Sequence, residues 1–249
     1  MKFHKTIIIR IITVIRMNNY IDDTRILRGM EKQFRQRQDR LSAGEKSIGW
    51  KVGFGAPLSM QKLRLERPLI GFLTDKILLP SASSVSIAGW IKPAMEPEVA
   101  VHMGKDLHAG ADLETTRDAI ASLGPAIEVA DVRFIPEDIE EILADNIFNR
   151  HVILGNTDSS RAGGELAGLT GYVSHNGREL PPVTDLQALT GDMIELVRHV
   201  ANTLSVFGEI LRANDVIITG SIVPPLLVTA NDSVSYRLEP IDTLSVNFM

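Results

Sequence analysis

The residues of this chain best suited to chemistry are three carboxylates. Glu96 and Glu98 stand in Met95-Glu96-Pro97-Glu98-Val99-Ala100-Val101, and Glu128 in Ala126-Ile127-Glu128-Val129-Ala130-Asp131. Residues two apart on a strand point to the same face, so Glu96 and Glu98 would offer oxygens to one spot. Glu128 sits in a second apolar, β-branched stretch able to pair beside the first. Three carboxylates converging on one point repel unless a cation binds there, and an all-oxygen set suits Mg²⁺ or Mn²⁺ better than zinc. Spacing alone leaves a second reading open, in which Glu-Pro-Glu is an acidic turn and Glu128 a surface residue.

The elements that must position these residues form a mixed set. Asp22 to about Leu41 has helical periodicity, with Ile26, Met30, Phe34 and Leu41 on one side, Asp22 and Asp23 suited to its start and Gly44 to its end. A short helix is expected over Leu58–Leu65. Gly49-Trp50-Lys51-Val52-Gly53-Phe54-Gly55 is a glycine-rich stretch, but not a phosphate loop, since neither GxGxxG nor GK[ST] occurs. Strands are expected at Ile70–Leu73, Ile77–Leu79, Val85–Trp90, Glu98–Met103, Ala126–Val132 and His151–Leu154, with helices near Thr116–Ser122 and Glu137–Ala144. His175-Asn176-Gly177-Arg178 reads as a hairpin turn, because Asn-Gly supplies the positive φ angles of a type I′ turn. An amphipathic helix spans Asp192–Phe207, followed by strands at Val216–Thr219, Ser233–Leu238 and Thr243–Phe248. The pattern is α+β and mostly antiparallel, without the βαβ alternation of a doubly wound sheet.

At 44% hydrophobic and 23% charged residues the chain has ample material for a core. A net charge of −5 and no basic cluster give no electrostatic footprint for nucleic acid. The absence of cysteine excludes disulfides, thiolate metal sites and cysteine nucleophiles, and fits a cytoplasmic protein. The apolar run from Thr6 to Ile15 is too short to span a bilayer and is broken by Arg10, so no membrane association is expected. Residues 1–16 read as a non-core extension, since Met17 opens the polar, helix-like stretch. Residues 17–70 then form an N-terminal helical region and 71–249 a β-rich catalytic domain.

Taken together, several segments resemble the fumarylacetoacetate hydrolase superfamily, in its branch of 2-keto-4-pentenoate hydratases and 4-oxalocrotonate decarboxylases. They are Gly49-Trp50-Lys51-Val52-Gly53, Arg67-Pro68-Leu69-Ile70-Gly71, Glu96-Pro97-Glu98-Val99-Ala100, Ile127 to Arg133, Ala144-Asp145-Asn146, Val200 to Leu204 and Asp215 to Ser221. The resemblance implies a mixed β-sandwich or roll with a smaller helical N-terminal region, and a homo-oligomer. It makes Glu96, Glu98 and Glu128 the Mg²⁺ (or Mn²⁺) ligands and Lys51 and Asp75 the catalytic pair. The hydrolase members use a His-Glu pair near the N-terminal lid, whereas Met17 to Gln61 contains no histidine, which argues against acylpyruvate hydrolysis. Ile147-Phe148-Asn149 departs from the small residues usual in the hydratases, and would alter the pocket wall.

The chemistry implied is that of 2-oxo acids. Such a substrate chelates a metal through a carboxylate oxygen and its keto oxygen, and the ion stabilises the enolate. Lys51, partly desolvated beside the ion, can exchange protons with the enol. Hydration of a 2-hydroxy-2,4-dienoate is the leading activity, with aromatic-compound breakdown as its setting. Decarboxylation, hydrolysis and a non-catalytic partner-subunit role are the alternatives. A positive group at the far end would favour a dicarboxylate. Arg133 is the candidate, although an ion pair with Asp131 explains it equally well. Thr219 and Ser221, flanking Gly220, could bind the substrate carboxylate or serve only as turn residues.

Overall fold

The computed structural model describes residues 20–133 and 138–249, so the expected extension at residues 1–16 lies outside them. Two sheets dominate. The first contains β1 (Ser47–Gly53), β2 (Leu69–Thr74), β4 (Pro93–Met103), β5 (Ile120–Asp131), β6 (Asn149–Leu154), β9 (Val216–Ser221) and β10 (Leu226–Leu227). Its order is β2-β1-β9-β4-β5-β6, with β10 paired to β4. The second runs β3 (Ser83–Val85), β12 (Asp242–Phe248), β11 (Ser233–Glu239), β7 (Thr170–His175), β8 (Arg178–Glu179). All pairings are antiparallel except β1 with β9 and β3 with β12.

Strict alternation along β4 and β5 divides the first sheet into two unlike faces. Met95, Val99, Val101, Leu123, Ile127 and Val129 join Trp50, Val52 and Phe72 in the main core, against Val173, Tyr236 and Leu244 of the second sheet. The opposite face carries Lys51, Glu98 and Glu128, all buried. It also carries two smaller apolar clusters, one containing Met30, Leu63, Ala130, Leu143, Ile147 and Phe148, the other Leu73, Ala100, Ala126, Val152 and Ile218.

Helices close the edges. Helix α1 (Thr24–Ser42) is capped by Asp23, whose side chain accepts from the Arg25 amide, and it ends at Ala43 with Gly44 at φ +99°. It packs on α4 (Ile139–Ala144), where Gly29 lets Leu143 approach so closely that a Cβ would lie 2.8 Å from the leucine's own. Arg28 and Lys32 pair with Glu140 across this contact, at 2.7 and 2.9 Å. Helices α2 (Pro57–Leu63) and α3 (Leu113–Ala119) are short, and α5 (Met193–Val206) lays Val197, Val200, Ala201 and Leu204 on the main core.

Three expectations need correction. The glycine-rich stretch Ser47–Gly53, placed in the helical region, is a strand. With β2 it brings residues assigned to the helical N-terminal region into the main sheet. Asp75–Ile77 is a single 3₁₀ turn, and Leu78 makes only an isolated bridge to Val152, so no strand forms at Ile77–Leu79. Of the strand expected over Val85–Trp90, only Val85 is in a strand. The 175–178 hairpin forms as expected, with φ +52° at Asn176 and +75° at Gly177.

Candidate metal centre

Antiparallel register places Glu96 directly opposite Glu128, and Glu98 opposite Ala126. The cross-strand pair and the i, i+2 pair therefore meet on one face. One carboxylate oxygen from each glutamate lies within 4.8 Å of the other two. The acidic-turn reading of Glu-Pro-Glu is thereby displaced, since β4 continues unbroken through it.

Pro97 is accommodated because the ladder on its β9 side is irregular. The β4–β9 register slips between Glu98 and Ala100, so Thr219 and Gly220 of β9 oppose the single residue Val99 of β4. Gly220, at φ +99° in this bulge, turns its amide out of the ladder and donates it to Glu98 Oε2 at 2.6 Å. Thr219 and Ser221 on either side give their hydroxyls to the β4 backbone, at Val99 O (3.0 Å) and Pro97 O (3.5 Å). The methyl of Thr190 sits 3.3 Å from where a Gly220 Cβ would be. The same threonine lines an open cleft of about 420 Å³ with Gly55, Arg67 and Gly191.

Glu128 is held from the other side. Its Oε1 accepts the Lys51 amine, and also Asn149 Nδ2 at 2.8 Å. Lys51 Nζ donates in addition to the Ile147 carbonyl at 3.1 Å. Glu98 Oε1 and Glu128 Oε2 are both buried and have no hydrogen-bond partner among the described residues. Two orphaned carboxylate oxygens in a buried cluster are what a divalent cation satisfies, and a donor set of oxygens alone fits Mg²⁺ or Mn²⁺. Burial pushes the Glu96 carboxyl up to about 7, aided by repulsion from Glu128 and opposed by Lys51. Glu98 is raised well above the usual carboxylate range by burial first, then by Glu128 and Glu96. Such a cluster either gives up charge by taking protons or keeps its charge against a cation.

Other expected site residues lie elsewhere. Asp75 accepts the Lys46 amide at 2.8 Å, beyond the Ser47–Thr74 pair. It is thus four residues along from Gly71, the register partner of Lys51, or roughly 13 Å at strand rise. Arg133 is exposed and pairs with Asp131 (3.4 Å) and Asp145 (3.8 Å). Asn146, Asn149 and Gly220 were given no role of their own by sequence reasoning. For Asn146 the available signal was an asparagine just past the C-cap of a short helix, where left-handed backbone is common.

Residues 53–248 match the model of the fumarylacetoacetate (FAA) hydrolase C-terminal family, and the chain belongs to that family. It is 32% identical over 215 residues to a 2-hydroxyhexa-2,4-dienoate hydratase of Comamonas testosteroni, covering 84% of this chain and 81% of the relative. It is 27% identical over 235 residues to a 4-oxalocrotonate decarboxylase of Pseudomonas sp. (strain CF600), covering 93% and 88%. Among solved structures, the 4-oxalocrotonate decarboxylase from Pseudomonas putida G7, complexed with magnesium and adipate, superimposes with a TM-score of 0.79. That match has 27% identity and covers 87% of this chain and 83% of the other.

Proposed function

We propose that this protein is a Mg²⁺- or Mn²⁺-dependent lyase that hydrates short unsaturated 2-oxo acids of the 2-hydroxypenta-2,4-dienoate type. The observation that carries this reading is the convergence of Glu96, Glu98 and Glu128, two of them with an unpartnered buried oxygen, beside a buried lysine. Likeness over most of the chain to a dienoate hydratase supports the reaction class.

In this reading the three glutamates hold the ion, which when bound supplies Lewis-acid stabilisation of the substrate's enolate. Glu128 also orients Lys51, through the contact of the amine with Oε1. Lys51 stands at the edge of the cluster, almost excluded from water, and moves a proton to or from the enol as the conjugated double bond takes up water. Gly220 fixes one oxygen of Glu98, leaving the other directed into the cluster. Asp75, the second half of the catalytic pair, has less support, since its carboxylate is engaged with the Lys46 amide. Arg133, Thr219 and Ser221 remain substrate-binding candidates, although each is already committed to a protein partner. We further propose a cytoplasmic homo-oligomer acting in aromatic-compound breakdown. No helix among the described residues is long and apolar enough to cross a membrane.

Decarboxylation is the second reading, favoured by the likeness to 4-oxalocrotonate decarboxylases. The test is to supply purified protein with Mg²⁺ or Mn²⁺ and follow the ultraviolet loss of a 2-hydroxydienoate. Chelator should stop the loss. Release of CO₂ from a dicarboxylate substrate, without hydration of the dienoate, would transfer the assignment to the decarboxylase.

A further inference from the structure

Asn146, Ile147 and Phe148 have φ angles of +49°, +53° and +64°, three consecutive left-handed residues without a glycine. Positive φ is expensive for a β-branched residue, and Ile147 sits at the middle of the run. Such a conformation persists only where its surroundings enforce it. Here Asn146 does so by acting as a substitute strand. Its Oδ1 accepts the Phe72 amide and its Nδ2 donates to the Phe72 carbonyl, both at 2.9 Å, at the edge of β2. Gly71 leaves the space this needs, since a Cβ there would lie 2.8 Å from both Asn146 Oδ1 and Lys51 Cγ. Gly53 does the same for Ile147, whose Cγ2 would be 2.8 Å from an added Cβ.

The turn delivers one group to the lysine and one to a carboxylate. Its middle residue turns a carbonyl onto Lys51 Nζ, and Asn149, the residue after it, places an amide on Glu128 Oε1. Asn146 and Asn149 are themselves buried.

We propose that the segment Asn146–Asn149 is a positioning device with two separable outputs: Asn146 aims the Lys51 amine through the Ile147 carbonyl, and Asn149 orients Glu128 toward the ion. Neither asparagine touches the reacting atoms, and both act through another residue. The proposal rests on the metal-lyase reading for its kinetic consequences but not for its structural ones.

The decisive variants are Asn146→Gly, Asn146→Asp and Asn149→Ala. Glycine at 146 keeps the left-handed backbone and removes both bonds to Phe72, so it separates conformational tolerance from bracing. Expected for Asn146→Gly are a loss of amide-exchange protection at Phe72 and a fall in kcat of about 10–100-fold, with KM and Mn²⁺ affinity close to wild type. Asn146→Asp keeps an acceptor for the Phe72 amide, so protection there should survive and kcat should lie between the glycine variant and wild type. Asn149→Ala should instead weaken Mn²⁺ binding about tenfold in titration calorimetry, with Phe72 still protected. Wild-type kcat and Phe72 protection in Asn146→Gly would overturn the brace. So would an equal loss of protection in the aspartate and glycine variants, or unchanged Mn²⁺ affinity in Asn149→Ala. Failure of the wild-type protein to turn over any dienoate would defeat the lyase reading, while Phe72 exchange and Mn²⁺ titration would still decide the brace.

Discussion

The two faces of the seven-stranded sheet are made by the same strands and serve opposed ends. On one face Ile127 and Val129 of β5 are wholly buried among aliphatic and aromatic neighbours, where each methyl removed from water adds to stability. On the other, Glu128, between them in sequence, is equally buried yet surrounded by two further carboxylates. Repulsion and desolvation make that cluster a burden on the metal-free protein, and Lys51, Asn149 and Gly220 offset part of it. The apolar residues of both faces stabilise a fold that the carboxylate cluster on one of them opposes. Strand alternation is what allows the two to coexist one residue apart.

Substitutions on the two faces should therefore separate cleanly. The largest effect is expected for Glu98→Gln, which should reduce metal-dependent turnover by about a thousandfold, equivalent to about 4 kcal/mol. The same change should raise the thermal midpoint of chelator-treated protein at alkaline pH, where the raised Glu98 carboxyl would otherwise have to lose its proton beside Glu128 and Glu96. Full activity with this variant would show that the ion is not held there. On the opposite face, Ile127→Ala should lower unfolding stability by about 3 kcal/mol in a urea titration, while Mn²⁺ affinity of the folded protein stays near wild type. A parallel loss of affinity would mean that the faces are coupled.

Lys51→Met sharpens the division within the functional face. Removal of the amine should slow enol–keto exchange about a hundredfold, read spectrophotometrically, and leave Mn²⁺ bound. Loss of the ion would recast the lysine as structural support for Glu128.

The smallest effect concerns a group on neither face. His199 bonds Tyr20 and the Pro68 carbonyl, and burial depresses it to about 4, with Arg67 adding repulsion. A histidine depressed in the folded state leaves the unfolded chain binding more protons below about pH 6.5, so stability falls as pH drops through that window toward 4. Its share should be about 1 kcal/mol between about pH 7.5 and 5.5, and His199→Gln should flatten the pH slope by that amount. An identical slope in the variant would assign the loss to other groups.

How legible all this was in the sequence depended on which signal each residue carried. Glu96, Glu98 and Glu128 could be read because period-2 alternation is visible in one strand and their pairing partner is an obvious apolar run. Helices α1 and α5 were legible from periodicity and from Asp23 and Asp192 at their caps. Strand β1 was hidden by its glycines, which are there for close approach: a Cβ on Gly49 would lie 1.9 Å from the Val216 carbonyl. Ile147-Phe148 stood out as unusual for the pocket wall, but nothing in their side chains announces a left-handed backbone. That conformation is imposed by Asn146 and two distant glycines. Arg133 had two readings, and in the folded chain its neighbours Asp131 and Asp145 claim it.

Only Asp145 separates the last residue of α4 from the turn whose carbonyl receives Lys51. Gln33 of α1 reaches across to the Leu143 carbonyl at 3.1 Å, gripping α4 near that end. One short segment is thus held from two sides, by the N-terminal helix at the Leu143 carbonyl and by the amine at the Ile147 carbonyl four residues on.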